Sequence, residues 1–172
     1  SDDELQRAGV TGLFLGHFEE WSGLANAEFA REHGFEWFHK PVEGSSVAFE
    51  NVDNAQTGAH DYLRYVKYGG GRASDIVSLH IRRGILTRDE GLDIVRQRDG
   101  RFPWTYLDVP LEDVLAPLGM TVEQFQRVCD RFTNRALFKR DANGAFMRRP
   151  DGSPELIGDG SLSSVQVPPS PV

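Results

Sequence analysis

Between residues 58 and 132 the sequence is cut into short helical stretches, each with its own start and stop signal. That punctuation constrains the fold more than any other feature. Tyr62, Leu63 and Val66 share one helical face, and the stretch ends at Gly69-Gly70-Gly71. Ile76, Val77, His80 and Ile81 mark a second helix, opened by Ser74 or Asp75 and stopped by Gly84. Thr87-Arg88-Asp89-Glu90 spells a capping box, in which the hydroxyl and the carboxylate each take a free amide proton at the helix start. That third helix runs to Arg98 and closes at Asp99-Gly100. Leu111, Val114, Leu115 and Leu118 predict a fourth, shortened by Pro117. Thr121 and Gln124 open a fifth, with Phe125, Val128, Cys129 and Phe132 on one face.

Strand signals are sparse. Leu13-Phe14-Leu15 and residues 35–38 read as two short strands, separated by a helix over about 22–33 with Ser22 as its N-cap. Two such strands make no useful sheet alone, so they are expected to belong to the edge of a larger α/β sheet. Asp141-Ala142-Asn143-Gly144 predicts a small hairpin between Phe138 and Phe146. The expected class is mainly α with a small β contribution. Its expected parts are residues 1–57, the end of an α/β core plus a long loop from 42; 58–150, helical with the hairpin; and 151–172, a disordered tail. No internal repeat is apparent.

The 172 residues carry a net charge of −7, divided as −8 over 1–57, +3 over 58–103 and −2 over 104–172. An acidic chain with a basic middle is a poor nucleic-acid binder, and suits a small anionic ligand better. A helix-turn-helix reader over 74–98 fits the turn lengths but not this charge. No run of apolar residues is long enough for a membrane-spanning helix. One cysteine, Cys129, excludes an internal disulfide, and a reducing, cytoplasmic setting is expected. Its place on an apolar helix face favours a core thiol over a nucleophile. No metal site is expected from the scattered histidines.

The stretch from His60 to Asp75 is the candidate site. Gly69, Gly70 and Gly71 let backbone approach a ligand, and the helix that follows offers free amide protons to an anion. Lys67 and Arg72 flank the turn, and arginine can grip a phosphate with two bonds. Asp75 could cap that helix or orient Arg72. The competing reading is a plain interhelical turn with glycine as its cap. His60 beside Asp61 is a candidate polar pair. In the long loop, Glu43-Gly44 and Asn51-Val52-Asp53-Asn54 could meet Mg²⁺ or a sugar hydroxyl, or simply form turns.

Taken in order, several of these pieces resemble the C-terminal half of the N-acetyl sugar amidotransferases. They are residues 13–18, Pro41-Val42-Glu43-Gly44, His60-Asp61-Tyr62-Leu63, residues 67–75, Ile81-Arg82-Arg83-Gly84, residues 87–91 leading to Asp99-Gly100, and Phe125 to Phe132 with Asn134. The resemblance covers roughly 10–148. It implies membership in the ATP pyrophosphatases of adenine nucleotide α-hydrolase-like fold, with ATP and Mg²⁺ as cofactors. It further implies that ATP adenylates a sugar acetamido oxygen and ammonia then displaces AMP, leaving an acetamidino group for surface polysaccharide synthesis. The implied partners are an N-terminal half, a glutaminase subunit supplying ammonia and the acetamido sugar nucleotide. The pyrophosphate loop of that family, Ser-Gly-Gly-x-Asp-Ser, has no counterpart here, so enzymatic activity is implied for the complete protein only. Lys67, Arg72 and Asp75 carry over as ligand-facing positions, with His60, Asp61, Arg82 and Arg88 beside them. The alternative is a non-catalytic helical interaction module.

Overall fold

The computed structural model describes residues 2–158, in two compact units divided between Trp37 and Phe38. The class is mainly α with a small β contribution, as the helix signals require.

The first unit holds α1 (Asp2–Arg7), a single 3-10 turn at Leu15–His17 and α2 (Gly23–Glu32). The Ser22 side chain caps α2 by accepting from the Ala25 amide. The two strands expected at 13–15 and 35–38 are not formed. Leu13 and Phe14 are 73% and 87% exposed. A strand needs a neighbour to take its amide hydrogen bonds, and no described strand offers one in this unit. The Trp21–Phe29 stripe of α2 is likewise exposed, and Ala27 is the buried residue of that helix.

The second unit contains α3 (Thr57–Tyr68), α4 (Arg72–Arg82), α5 (Arg88–Arg98), β1 (Thr105–Tyr106), β2 (Val109–Pro110), α6 (Leu111–Leu115) and α7 (Val122–Phe132). Both capping boxes are present, at Thr87 and Thr121. Gly69 ends α3 with φ of +79°, and Pro117 turns the end of α6 into a 3-10 turn over Ala116–Leu118. The core gathers Tyr62, Tyr65 and Val66 of α3, Leu111 and Leu115 of α6, Phe125 and Cys129 of α7, and Phe102 and Phe138 between them. Aromatic edges meet faces there, Tyr62 on Phe102 at 5.1 Å and Tyr65 on Phe138 at 5.5 Å. Gly91 lets α5 close on α4, since a Cβ there would come within 2.6 Å of Val77 and Ile81. Burial pushes the Cys129 thiol up to about 12, which suits a core thiol.

The long loop from 42 belongs with this helical unit, not with the first 37 residues. The Ala73 amide donates to the Gly44 carbonyl, Tyr106 Oη donates to the Asn51 carbonyl, and the Leu107 amide donates to Glu43. The β1–β2 hairpin was not expected from the sequence. Its turn places Leu107 and Asp108 at φ of +51° and +62°, where glycine or asparagine is usual. Glu43 on one side and the Lys40–Asp108 pair at 2.6 Å on the other hold it.

Two readings of the last segment are corrected. An eight-residue repeat runs through 138–145, 146–153 and 154–161, with Asn143-Gly144, Asp151-Gly152 and Asp159-Gly160 in register. Its described part closes on itself: the Lys139 amide donates to Glu155, the Glu155 amide to Met147, and the Met147 amide to Lys139. The expected hairpin, bridged at Arg140 and Phe146, is two sides of this triangle. Residues 151–158 therefore form its last corner and third side rather than a disordered tail, with Ser153 and Pro154 fully buried. Residues 159–172 lie outside the described residues.

Candidate functional site

Around the glycine turn the structure assembles a polar cluster, but not the one the turn suggested. Gly71 begins α4, and its amide donates to Asp99 Oδ2 at 2.8 Å. Ser74 Oγ donates to the same oxygen at 2.5 Å. The Ala73 amide is taken by Gly44. The place expected to cradle an external anion is thus filled by the chain's own carboxylate. Asp99 comes from the far end of α5 and can approach because residue 71 has no side chain; a Cβ there would lie 2.6 Å from Oδ1. Burial pushes the Asp99 carboxyl above its usual range, against the hydrogen bonds from Ser74 and Gly71.

Arg72 does not reach outward for a phosphate. Its Nε and Nη2 grip Asp61 at 2.6 and 2.9 Å, and its Nη1 lies 3.8 Å from Glu50 in the loop. Burial alone would raise the Asp61 carboxyl, yet the Arg72 and His60 bonds outweigh it and hold the group below its usual range. Asp75 neither caps α4 nor orients Arg72. It forms a two-bond pair with Arg64, one turn along α3. The Lys67 ammonium lies 4.9 Å from the centre of the Phe132 ring on α7. Lys67 and Arg72 therefore have separate partners instead of one shared hollow. Arg82 and Arg88 are exposed, with Arg82 Nε on the Ser78 carbonyl of its own helix. Gly69 and Gly70 serve the turn, and Gly71 serves the Asp99 approach.

What the structure does bring together is His60, Asp61 and Arg72. His60 Nδ1 lies 3.0 Å from Asp61 Oδ1. The Asp61 side chain is 8% exposed and the His60 side chain 74%. Asp61 is oriented from behind by arginine and presents an imidazole to solvent. A crevice beside it is lined by Gly44, Asp61, Tyr65, Gly71, Arg72 and Arg101. Glu50, Asp61 and Asp99 face Arg72 and Arg101 around it. Sequence reasoning named His60, Asp61 and Arg72 but missed Glu50 and Asp99, because both arrive from segments distant in the chain.

Among the described residues no group of three or more His, Cys, Asp or Glu side chains is placed to hold a metal ion. Glu43 is spent on Leu107 and Lys40, and Asn51 offers its carbonyl to Tyr106. With the α4 amides also taken, these residues do not fit ATP phosphates or their Mg²⁺.

A family profile described as "LPS biosynthesis protein WbpG-like, C-terminal domain" matches residues 25–150. The chain belongs to that family. The match runs from within α2 through α7 and into the second side of the closing triangle, so His60, Asp61 and Arg72 all lie inside it. No curated protein matches the chain. No helix among the described residues is long and apolar enough to cross a membrane. Family membership ties the chain to lipopolysaccharide biosynthesis.

Proposed function

We propose that this chain is the C-terminal domain of a cytoplasmic, ATP-dependent amidotransferase that converts a sugar acetamido group to an acetamidino group with ammonia. Its place in lipopolysaccharide biosynthesis supports a nucleotide-linked acetamido sugar as substrate. The observation that carries the reading is the Asp61–Arg72 clamp with His60 in front of it, a rigid polar wall on a buried charge pair. In this reading the wall faces the sugar and the ammonia. The nucleotide and Mg²⁺ are held by an N-terminal half, and a glutaminase subunit supplies the ammonia.

The complete protein, given ATP, an acetamido sugar nucleotide and ammonium, is expected to release AMP and yield a product one mass unit lighter, as oxygen is exchanged for NH. Arg72→Ala is expected to depress that turnover at least tenfold. Unchanged turnover in the variant overturns the assigned role of the wall.

A second reading, a non-catalytic interaction module, is favoured by the exposed Phe14, Phe18, Trp21 and Phe29 of the first unit. A tight protein partner in a pulldown, with no nucleotide or sugar binding by calorimetry, decides for it.

A further inference from the structure

We propose that His60 is a catalytic base, taking a proton from the ammonium nitrogen as that nitrogen enters the reaction. The inference rests on the amidotransferase reading and adds to it the group that makes ammonium reactive.

Three observations carry it. The contact between Nδ1 and Asp61 sets the tautomer: an ionised carboxylate can only accept, so Nδ1 carries a proton and the neutral form of the ring has its lone pair on Nε2. Asp61 is itself fixed by two bonds from Arg72, so the imidazole is held from a rigid support. The rest of His60 is open, which leaves Nε2 free to meet a ligand. The other paired histidines are placed differently. His39 meets the exposed Asp108, and His33 contacts its own helix at the Phe29 carbonyl.

The charge of the site admits the same ligand. Glu50, Asp61 and Asp99 stand there against Arg72 and Arg101, so no excess of positive charge repels a small cation. Arg64 is neutralised by Asp75 from α4, and Tyr106 of β1 stands near Asp61 and Arg72 with its hydroxyl kept protonated by burial. Ammonium is of water's size and meets no net positive charge there.

Nε2 takes one proton from ammonium, giving imidazolium and ammonia. The nitrogen lone pair attacks the carbon of the O-activated acetimidate, whose sugar nitrogen gave up its proton on activation, forming the C–N bond. The C–O bond to the activating group breaks, and its electron pair leaves on that oxygen. The three protons of ammonia remain in the amidinium product, and the imidazolium returns its proton to water.

The test uses the complete protein with ammonium chloride as nitrogen donor across a pH series. His60→Gln is expected to lose at least 100-fold in kcat/KM for ammonium at neutral pH. The KM for the sugar is expected to stay unchanged. The deficit is expected to shrink about tenfold per pH unit upward, as ammonia becomes available without a base. Asp61→Asn is expected to show a milder form of the same profile. A His60→Gln deficit constant with pH, or none at all, overturns the base. Nitrogen NMR of His60 gives an independent readout, the expected neutral tautomer being protonated at Nδ1, and a neutral ring protonated at Nε2 instead also overturns it. If the wild type releases no AMP, the amidotransferase reading fails and this inference falls with it, an outcome distinct from a wild type that turns over and a variant that does so equally well.

Discussion

Asp99 Oδ2 accepts the Gly71 amide proton, so the end of α5 caps the start of α4 with a carboxylate drawn from 28 residues away. The pairing is an internal version of anion binding at a helix N-terminus. Asp99→Ala removes the acceptor of both Gly71 N and Ser74 Oγ, and is expected to cost about 2 kcal/mol of stability. Asp99→Asn keeps an acceptor of the same shape and is expected to cost less. Thermal melting of the two variants side by side checks the order.

The same residue fixes a pH dependence. The folded-state pKa of Asp99 is raised above its ordinary value of 3.8, with burial as the main cause. The folded state therefore binds this proton more tightly than the unfolded state, and that contribution is full below the ordinary value and lost as pH rises through the folded one. Asp61 has the opposite sign: its pKa is lowered, so its contribution is present above 3.8 and lost as pH falls through the folded value. Asp99→Asn is thus expected to gain on the wild type as pH rises from about 4 toward neutrality. Urea melts at several pH values measure that difference, and a variant that holds constant against the wild type or loses ground to it as pH rises contradicts the expectation.

Gly100 sits at φ of +74° with the Tyr65 ring 2.2 Å from where a Cβ would stand. Gly100→Ala combines left-handed strain with a clash against a buried ring, and is expected to cost about 2–4 kcal/mol. Gly119 also has positive φ, at +62°, but meets nothing within 4 Å. Gly119→Ala is expected to cost about 1–2 kcal/mol, the strain alone. Denaturant midpoints for the pair separate conformational strain from overpacking.

The closing triangle predicts an asymmetry between two truncations. Ending the chain after 150 removes the bonds of Glu155 and Ile157 and uncovers Phe138, which is 1% exposed. That protein is expected to melt at least 10 °C lower than one ending after 158. Equal melting temperatures show that the third side is dispensable.

The helices were legible because their signals are local. Thr87 and Thr121 each announce a helix within four residues, and both capping boxes form. Local signals say nothing about who occupies a cap from afar, so the glycine turn passed for an open cradle while Asp99 filled it. Phe14 was misjudged for a related reason: an apolar run in a strand-like context becomes a strand only when another strand is beside it. The β1–β2 hairpin escaped notice because Leu107 and Asp108 are not the residues a tight turn normally uses, and Glu43 and Lys40 hold the turn from the loop. The eight-residue period was masked by Pro154 standing where Phe138 and Phe146 stand in the other copies.

Because each described side of that triangle bonds to both others, Lys139, Met147 and Glu155 have both backbone groups paired and offer none to a further strand. Its tolerance for change follows. One inserted residue would throw every later bond out of phase, whereas swapping one octet for another of the same length keeps the phase. The smallest unit by which this end of the chain can be exchanged is eight residues.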